Sequence, residues 1–170
     1  QKQGLELLSG AANAMANDES VYFVFGGEGP ARQDLEDTCQ TLCNVRFADL
    51  QPEEHMCEWL GVADIHLLPQ RADVADLVMP SKLTGMLASG KAILATAPDG
   101  TGLAQELEGV GIVTTPGDLN AFVDALRLLA KNPDLRSSLG HAARTRAEAT
   151  ISRESILLRF EQSLEQESAE

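Results

Sequence analysis

Short apolar runs alternate with helical patterns along most of the chain, and this alternation restricts the possible folds more than any other feature. Runs of strand length occupy residues 21–25, 45–47, 65–68, 93–96 and 111–114. Helical patterns at 4–16, 31–42, 52–60, 81–88 and 102–107 precede or separate them. Strand–helix–strand units at this spacing need right-handed crossovers, which make the strands parallel and place helices on both faces. The strand runs lack polar alternation, as strands covered on two sides must. The prediction is one α/β domain with a doubly wound parallel sheet. A length of 170 residues suits a single domain, and with 4% aromatic residues its core must be mostly Leu, Val, Ile and Ala.

Several helix ends carry their own chemistry. Pro52 suits a first turn, with Glu53 and Glu54 where the dipole favours acids. Asp118 is a predicted N-cap for a helix through Lys131, Asn132-Pro133 breaks it, and Asp134 opens the next. Ser152 would cap a last helix with Ile156, Leu157, Phe160 and Leu164 on one face. The first element is a helix, yet a wound sheet feeds each such helix from a strand. A strand is therefore expected before Gln1.

The charge of −13 argues against a nucleic-acid surface, which needs a basic stripe. It leaves a phosphate ligand open, since a helix N-terminus and one Lys can hold a diphosphate. No stretch approaches the roughly 20 apolar residues of a membrane span. Three cysteines (Cys39, Cys43, Cys57) without a secretory leader predict a reduced, cytoplasmic setting, reaching to the inner face of the cytoplasmic membrane. Cys39 and Cys43 are four apart in a helical pattern, but no second close pair completes a metal set with His55, His66 or His141. No metal or cofactor is expected. His66, inside a strand run, reads as a core residue.

Two segments could carry chemistry. Gly26, Gly27, Glu28 and Gly29 follow the first strand run and precede a helix, where glycines let backbone N–H groups approach a ligand. The G-x-G-x-x-G pattern is incomplete, because Arg32 takes the third position, and a plain tight turn explains the glycines as well. The second segment is 80–91, Pro-Ser-Lys-Leu-Thr-Gly-Met-Leu-Ala-Ser-Gly-Lys, running into the strand at 93–96. Ser81 would cap this helix, Lys82 would sit in its first turn, and Gly90 suits its C-terminal turn. A cation at a helix start opposes the dipole, so Lys82 is either a solvated tip or a phosphate ligand.

This second segment resembles the donor-site helix of GT-B glycosyltransferases, whose usual form is Lys-Leu-x-Glu-x-Met-Ala-x-Gly-Lys-Pro-Val-Ile-Ala-Thr. It is similar in particular to the colanic-acid-type branch of the retaining family 4 enzymes. The likeness runs in order along nearly the whole chain. Lys2-Gln3-Gly4-Leu5 resembles the opening of the first helix, residues 24–30 the glycine turn, and Asn44-Val45-Arg46-Phe47 the next strand. Residues 63–69 resemble the Ala-Asp-Val-x-Val-x-Pro strand, and residues 111–118 the late Gly-x-Val-x-Pro-x-Asp segment.

The resemblance implies a Rossmann-like domain, the C-terminal half of a GT-B enzyme, that holds a UDP- or GDP-linked sugar at a cleft. An acceptor-binding half would precede it, and any membrane contact would be made through that half. By the same likeness the base lies near Asp49 and Leu50. The diphosphate meets the glycine turn, Lys2 or Lys82, and the start of the later helices, with Ser81 and Leu83 beside Lys82. Where the family carries a Glu that binds the ribose hydroxyls, this chain has Gly85, which would leave an open space that Asp76 or Glu106 could reach. Arg71, Thr101 and Gly102 are further candidates for phosphate contact, against plain readings as a surface Arg, a cap and a turn. The expected function is nucleotide-sugar binding in glycosyl transfer for an exopolysaccharide or cell-envelope glycan, with no catalytic residue assigned and little activity in the domain alone. A non-catalytic nucleotide-binding module and half of a sugar-nucleotide epimerase are the alternatives.

Overall fold

The computed structural model describes residues 4–70 and 79–151. Helix α1 (Leu5–Ala14) leads to strand β1 (Phe23–Gly26), and α2 (Arg32–Cys39) to β2 (Val45–Ala48). A 3-10 turn at Glu53–His55 enters α3 (Met56–Val62), which leads to β3 (Ile65–Leu68). Then follow α4 (Ser81–Ser89), β4 (Ala92–Thr96), α5 (Gly102–Glu106) and β5 (Ile112–Thr114), and the helices α6 (Leu119–Lys131) and α7 (Pro133–Thr150).

All pairings are parallel, as the alternation predicted. Phe23 lies beside Val45, Ile65 beside Ala92 and Leu94 beside Ile112. Among the described residues the strands nevertheless form two groups, in the orders β1-β2 and β3-β4-β5.

Strand β4 is the centre of the core, with every residue buried. Ala92 and Leu94 face a layer containing Leu8, Ala11 and Ala12 of α1, Phe23 and Val45, Leu35 and Cys39 of α2, and Phe122 and Leu126 of α6. Ile93 and Ala95 face the opposite layer, with Leu83 and Leu87 of α4, Leu103 of α5, and Ala143 and Ala147 of α7. Burying one Leu or Phe of this kind stabilises by about 1.5–3 kcal/mol, so a two-sided strand of short residues anchors both layers. The Asn44 side-chain amide donates to the Ala12 carbonyl at 2.9 Å, tying α1 to the start of β2.

Helix ends follow the sequence, with corrections at α2, α4 and α7. Asp118 caps α6, accepting from the Ala121 N–H at 2.9 Å. Asn132, not Asp134, opens α7: its side chain accepts from the Leu135 N–H at 3.0 Å, and Pro133 takes the first helical position, where a missing N–H costs nothing. Helix α2 ends at Cys39, so Cys43 lies beyond it and the pair shares no helix face; Cys39 is buried and Cys43 exposed. The last helix expected after Ser152 lies outside the described residues.

His66 is a core residue, as expected, 7% exposed in β3. Its Nε2 lies 3.0 Å from Ser89 Oγ, whose own hydrogen is donated to the Met86 carbonyl at 2.6 Å. The ring must therefore donate through Nε2–H. Burial, and secondarily the Lys91 charge, push the His66 pKa below its ordinary value. The unfolded chain then takes up a proton before the folded one does. Stability from this group is complete above the unfolded pKa of about 6.5 and falls as pH drops through the window down to the folded value. Thermal melts between pH 8 and pH 5 should show this loss, and His66→Gln should flatten it.

Candidate functional site

In a parallel βα unit each strand delivers its following loop to the same edge, so the loops after β1, β2 and β4 gather at the carboxyl ends. The loop after β1 is the glycine turn. Gly27 has φ +125, a conformation that L side chains rarely adopt, and nothing lies within 4 Å of where a Cβ would stand on Gly27 or Gly29. A ligand can therefore approach this backbone closely. Glu28 and Gly29 are exposed beside it.

The turn is held by a residue that sequence reasoning treated only as an interruption of the glycine pattern. Arg32 Nη1 donates to the Gly27 carbonyl at 3.0 Å and the Ala48 carbonyl at 3.3 Å, and sits 3.1 Å from Asp49 Oδ1. Arg32 Nε also donates to Glu36 Oε1 at 2.7 Å, an i,i+4 pair readable in the sequence. One guanidinium thus staples the loops after β1 and β2. Asp49 and Leu50 stand exposed at this corner, Leu50 at 66%.

Helix α4 presents the second half of the site. Ser81 and Lys82 are exposed at its start, but Ser81 is the first helical residue and not the cap. The cap position is Pro80, which has no side-chain acceptor to offer. Leu83 points the other way: its side chain is 2% exposed in the core, and its N–H bonds the Pro80 carbonyl at 2.9 Å. It anchors the helix and leaves contact with a ligand to its neighbours. Thr101 is likewise occupied, since its hydroxyl donates to the Pro98 carbonyl at 2.8 Å and accepts from the Ala104 N–H at 3.4 Å. Gly102 is exposed, and a Cβ there would lie 3.7 Å from Met79 Cε, which brings the start of α5 beside the approach to α4.

Helix α3 links the two halves. A Cβ on Gly26 would stand 2.3 Å from Trp59 Cζ2, and one on Gly85 would stand 3.1 Å from Leu60 Cδ1. Consecutive residues of α3 therefore rest on the glycine turn and on the first turns of α4. The open space expected at Gly85 is filled by Leu60, an apolar side chain supplied from 25 residues away in sequence. Glu106, considered as a replacement acid, lies 3.8 Å from Arg146. Because Leu60 meets Gly85 through a terminal methyl of a half-buried side chain, Gly85→Ala should change stability by less than about 1 kcal/mol, the gain in helix propensity offsetting the shift. Thermal unfolding checks this. Lys2, Arg71 and Asp76 lie outside the described residues.

Residues 1–132 match the family of glycosyl transferases group 1. The chain belongs to this family. Among curated relatives, WcaI of Escherichia coli K12, named as a colanic acid biosynthesis glycosyl transferase, is 34% identical over 165 residues, which is 94% of this chain and 39% of that protein. The sulfoquinovosyl transferase SQD2 of Arabidopsis thaliana is 26% identical over 148 residues, 86% of this chain and 28% of that protein. The chain therefore spans about two fifths or less of these relatives.

Solved structures show the same fold. A glycosyltransferase from Rickettsia africae aligns with TM-score 0.80 at 14% identity, covering 98% of this chain and 45% of that one. Sucrose-phosphate synthase from Thermosynechococcus elongatus aligns with TM-score 0.77 at 23% identity, covering 99% and 43%. HepE of Anabaena in complex with UDP-glucose aligns with TM-score 0.72 at 16% identity, covering 92% and 44%. The Rossmann-like parallel domain of GT-B glycosyltransferases, expected from the sequence, is the fold of this group 1 chain. Among the described residues no group of three or more His, Cys, Asp or Glu could hold a metal ion. No described helix is long and apolar enough to cross a membrane.

Proposed function

We propose that this chain is the donor-binding domain of a longer glycosyltransferase that moves a sugar from a nucleoside-diphosphate sugar to an acceptor in exopolysaccharide or cell-envelope glycan synthesis. The observation that carries the reading is an unobstructed glycine turn after β1 and an exposed Ser81-Lys82 start of α4, with α3 packed against Gly26 at the end of β1 and against Gly85 of α4. That arrangement offers N–H groups and one cation to a diphosphate, with Asp49 and Leu50 at the flank for the nucleoside. HepE, of the same fold, is described in complex with UDP-glucose, and WcaI is named for colanic acid biosynthesis; both favour this reading.

The diphosphate is held without a divalent cation, by Lys82 and by helix N-termini that face the charge developing on the leaving group. The acceptor half precedes this domain in the longer protein, which acts in the cytoplasm, and any membrane contact runs through that half. The test uses the full-length protein with a panel of UDP- and GDP-sugars, following release of nucleoside diphosphate with and without acceptor extract. Turnover that depends on the sugar supports transfer. Nucleotide binding indifferent to the sugar, with no release, would instead favour a regulatory module, and interconversion of the sugar an epimerase.

A further inference from the structure

Gly26, Gly27 and Gly29 give the turn after β1 a loose backbone, and a glycine has no side chain with which to hold itself. Such a turn, if unrestrained, would be ordered only by an arriving ligand, and the lost entropy would weaken binding. In this fold both polar groups of Gly27 are already engaged. Its N–H bonds the Ala48 carbonyl at 3.2 Å, and its own carbonyl accepts from Arg32 Nη1 at 3.0 Å. The same nitrogen donates to the Ala48 carbonyl at 3.3 Å and lies 3.1 Å from Asp49 Oδ1. A trans peptide points its C=O and its N–H in opposite directions. With the Gly27 carbonyl held toward the guanidinium, the Glu28 N–H must face away from it. Among the described residues no acceptor takes that N–H, and Glu28 is exposed.

An arginine beside an anion site invites reading as a ligand, but here its bonds run elsewhere. Nε donates to Glu36 Oε1 at 2.7 Å, and Nη1 serves the two carbonyls and Asp49. The carboxylates of Glu36 and Asp49 more than balance its single charge, so the cluster has no net attraction for a phosphate. What the guanidinium supplies is geometry. Its planar fork ties α2, the glycine turn and the end of β2 into one arrangement, which a flexible ammonium with no fork cannot reproduce.

We propose that Arg32 is a positioning residue of the nucleotide site. It fixes the Gly27–Glu28 peptide so that the Glu28 N–H is aimed outward for a diphosphate before the ligand arrives, and it does not touch the ligand itself. The inference rests on the donor-binding reading above and adds how the turn is made ready.

Titration of UDP and GDP into the full-length protein in EDTA, with a melting temperature for each preparation, compares wild type with Arg32→Lys, Arg32→Met and Arg32→Met/Glu36→Gln. The double variant removes a positive and a negative group together, so the local net charge stays that of the wild type. All three should bind the nucleotide about 10-fold more weakly or worse, with melting temperatures within about 5 °C of wild type. Exchange at the Gly27 amide should quicken in the nucleotide-free variants, because the turn is no longer held. Wild-type affinity restored by Lys or by the double variant would assign the effect to charge and overturn the inference. So would a fall in melting temperature while the folded protein binds normally, which is the mark of a merely structural residue. Wild type that binds neither nucleotide would overturn the donor-binding reading and the inference with it, whereas binding equal in wild type and all variants would overturn the inference alone.

Discussion

Gly140→Ala is expected to destabilise the protein by about 2–4 kcal/mol, lowering its melting temperature by roughly 5–12 °C. Helix α7 crosses the end of α4 so closely that a Cβ on Gly140 would stand 2.2 Å from the Gly90 carbonyl oxygen, 2.9 Å from its carbon and 3.3 Å from Lys91 Cα. All three atoms are backbone, so no rotamer change relieves the clash. Gly90 itself holds φ +67 to end α4 and turn into β4, and cannot easily retreat. Arg144 pins the same crossing by donating to the Ala88 carbonyl at 2.6 Å. Alanine gains about 1 kcal/mol in helix propensity, which the displacement of α7 from the buried β4 layer outweighs. Gly61→Ala is the control: nothing lies within 4 Å of its Cβ, and it should be neutral or slightly stabilising. Thermal unfolding of both variants decides the matter, and an unshifted Gly140→Ala would contradict the close crossing.

Lys82→Ala should weaken nucleoside diphosphate binding by about 10- to 100-fold, the loss of about 1.5–3 kcal/mol for a charge-assisted contact. It should leave the melting temperature within about 2 °C of wild type, because Lys82 is exposed at the start of α4 while the anchoring is done by Leu83 and Leu87. Affinity and melting temperature measured on the same preparation separate the two roles. Equal affinities would remove Lys82 from the site, and a large thermal shift would make it structural.

What the sequence revealed and what it withheld have a common cause. Local patterns carried the strands and most helices, because the wholly buried run of β4 and the Asp118 cap are signals confined to a few residues. The exposed glycine turn and Lys82 were legible for the same reason. Contacts between distant segments were not. Arg32 broke a motif in the sequence, yet in the fold it reaches a carbonyl 16 residues on and holds the turn in place. Gly85 suggested an empty space, but Leu60 from another helix fills it. Thr101 and Leu83 had the right position for ligands, while capping and core packing had already used their side chains. The division into two strand groups was invisible for a related reason: alternation counts strands without saying which edges meet.

On the proposed function, the carboxyl edge holds a nucleoside diphosphate without a metal. Calorimetric titration of UDP, with GDP in parallel, into the wild-type protein in EDTA tests it most directly. Saturable binding with a Kd of roughly 0.1–1 mM for at least one of them, unchanged when magnesium replaces EDTA, is the expected result. No heat of binding at millimolar nucleotide, or binding that vanishes with EDTA, would contradict it.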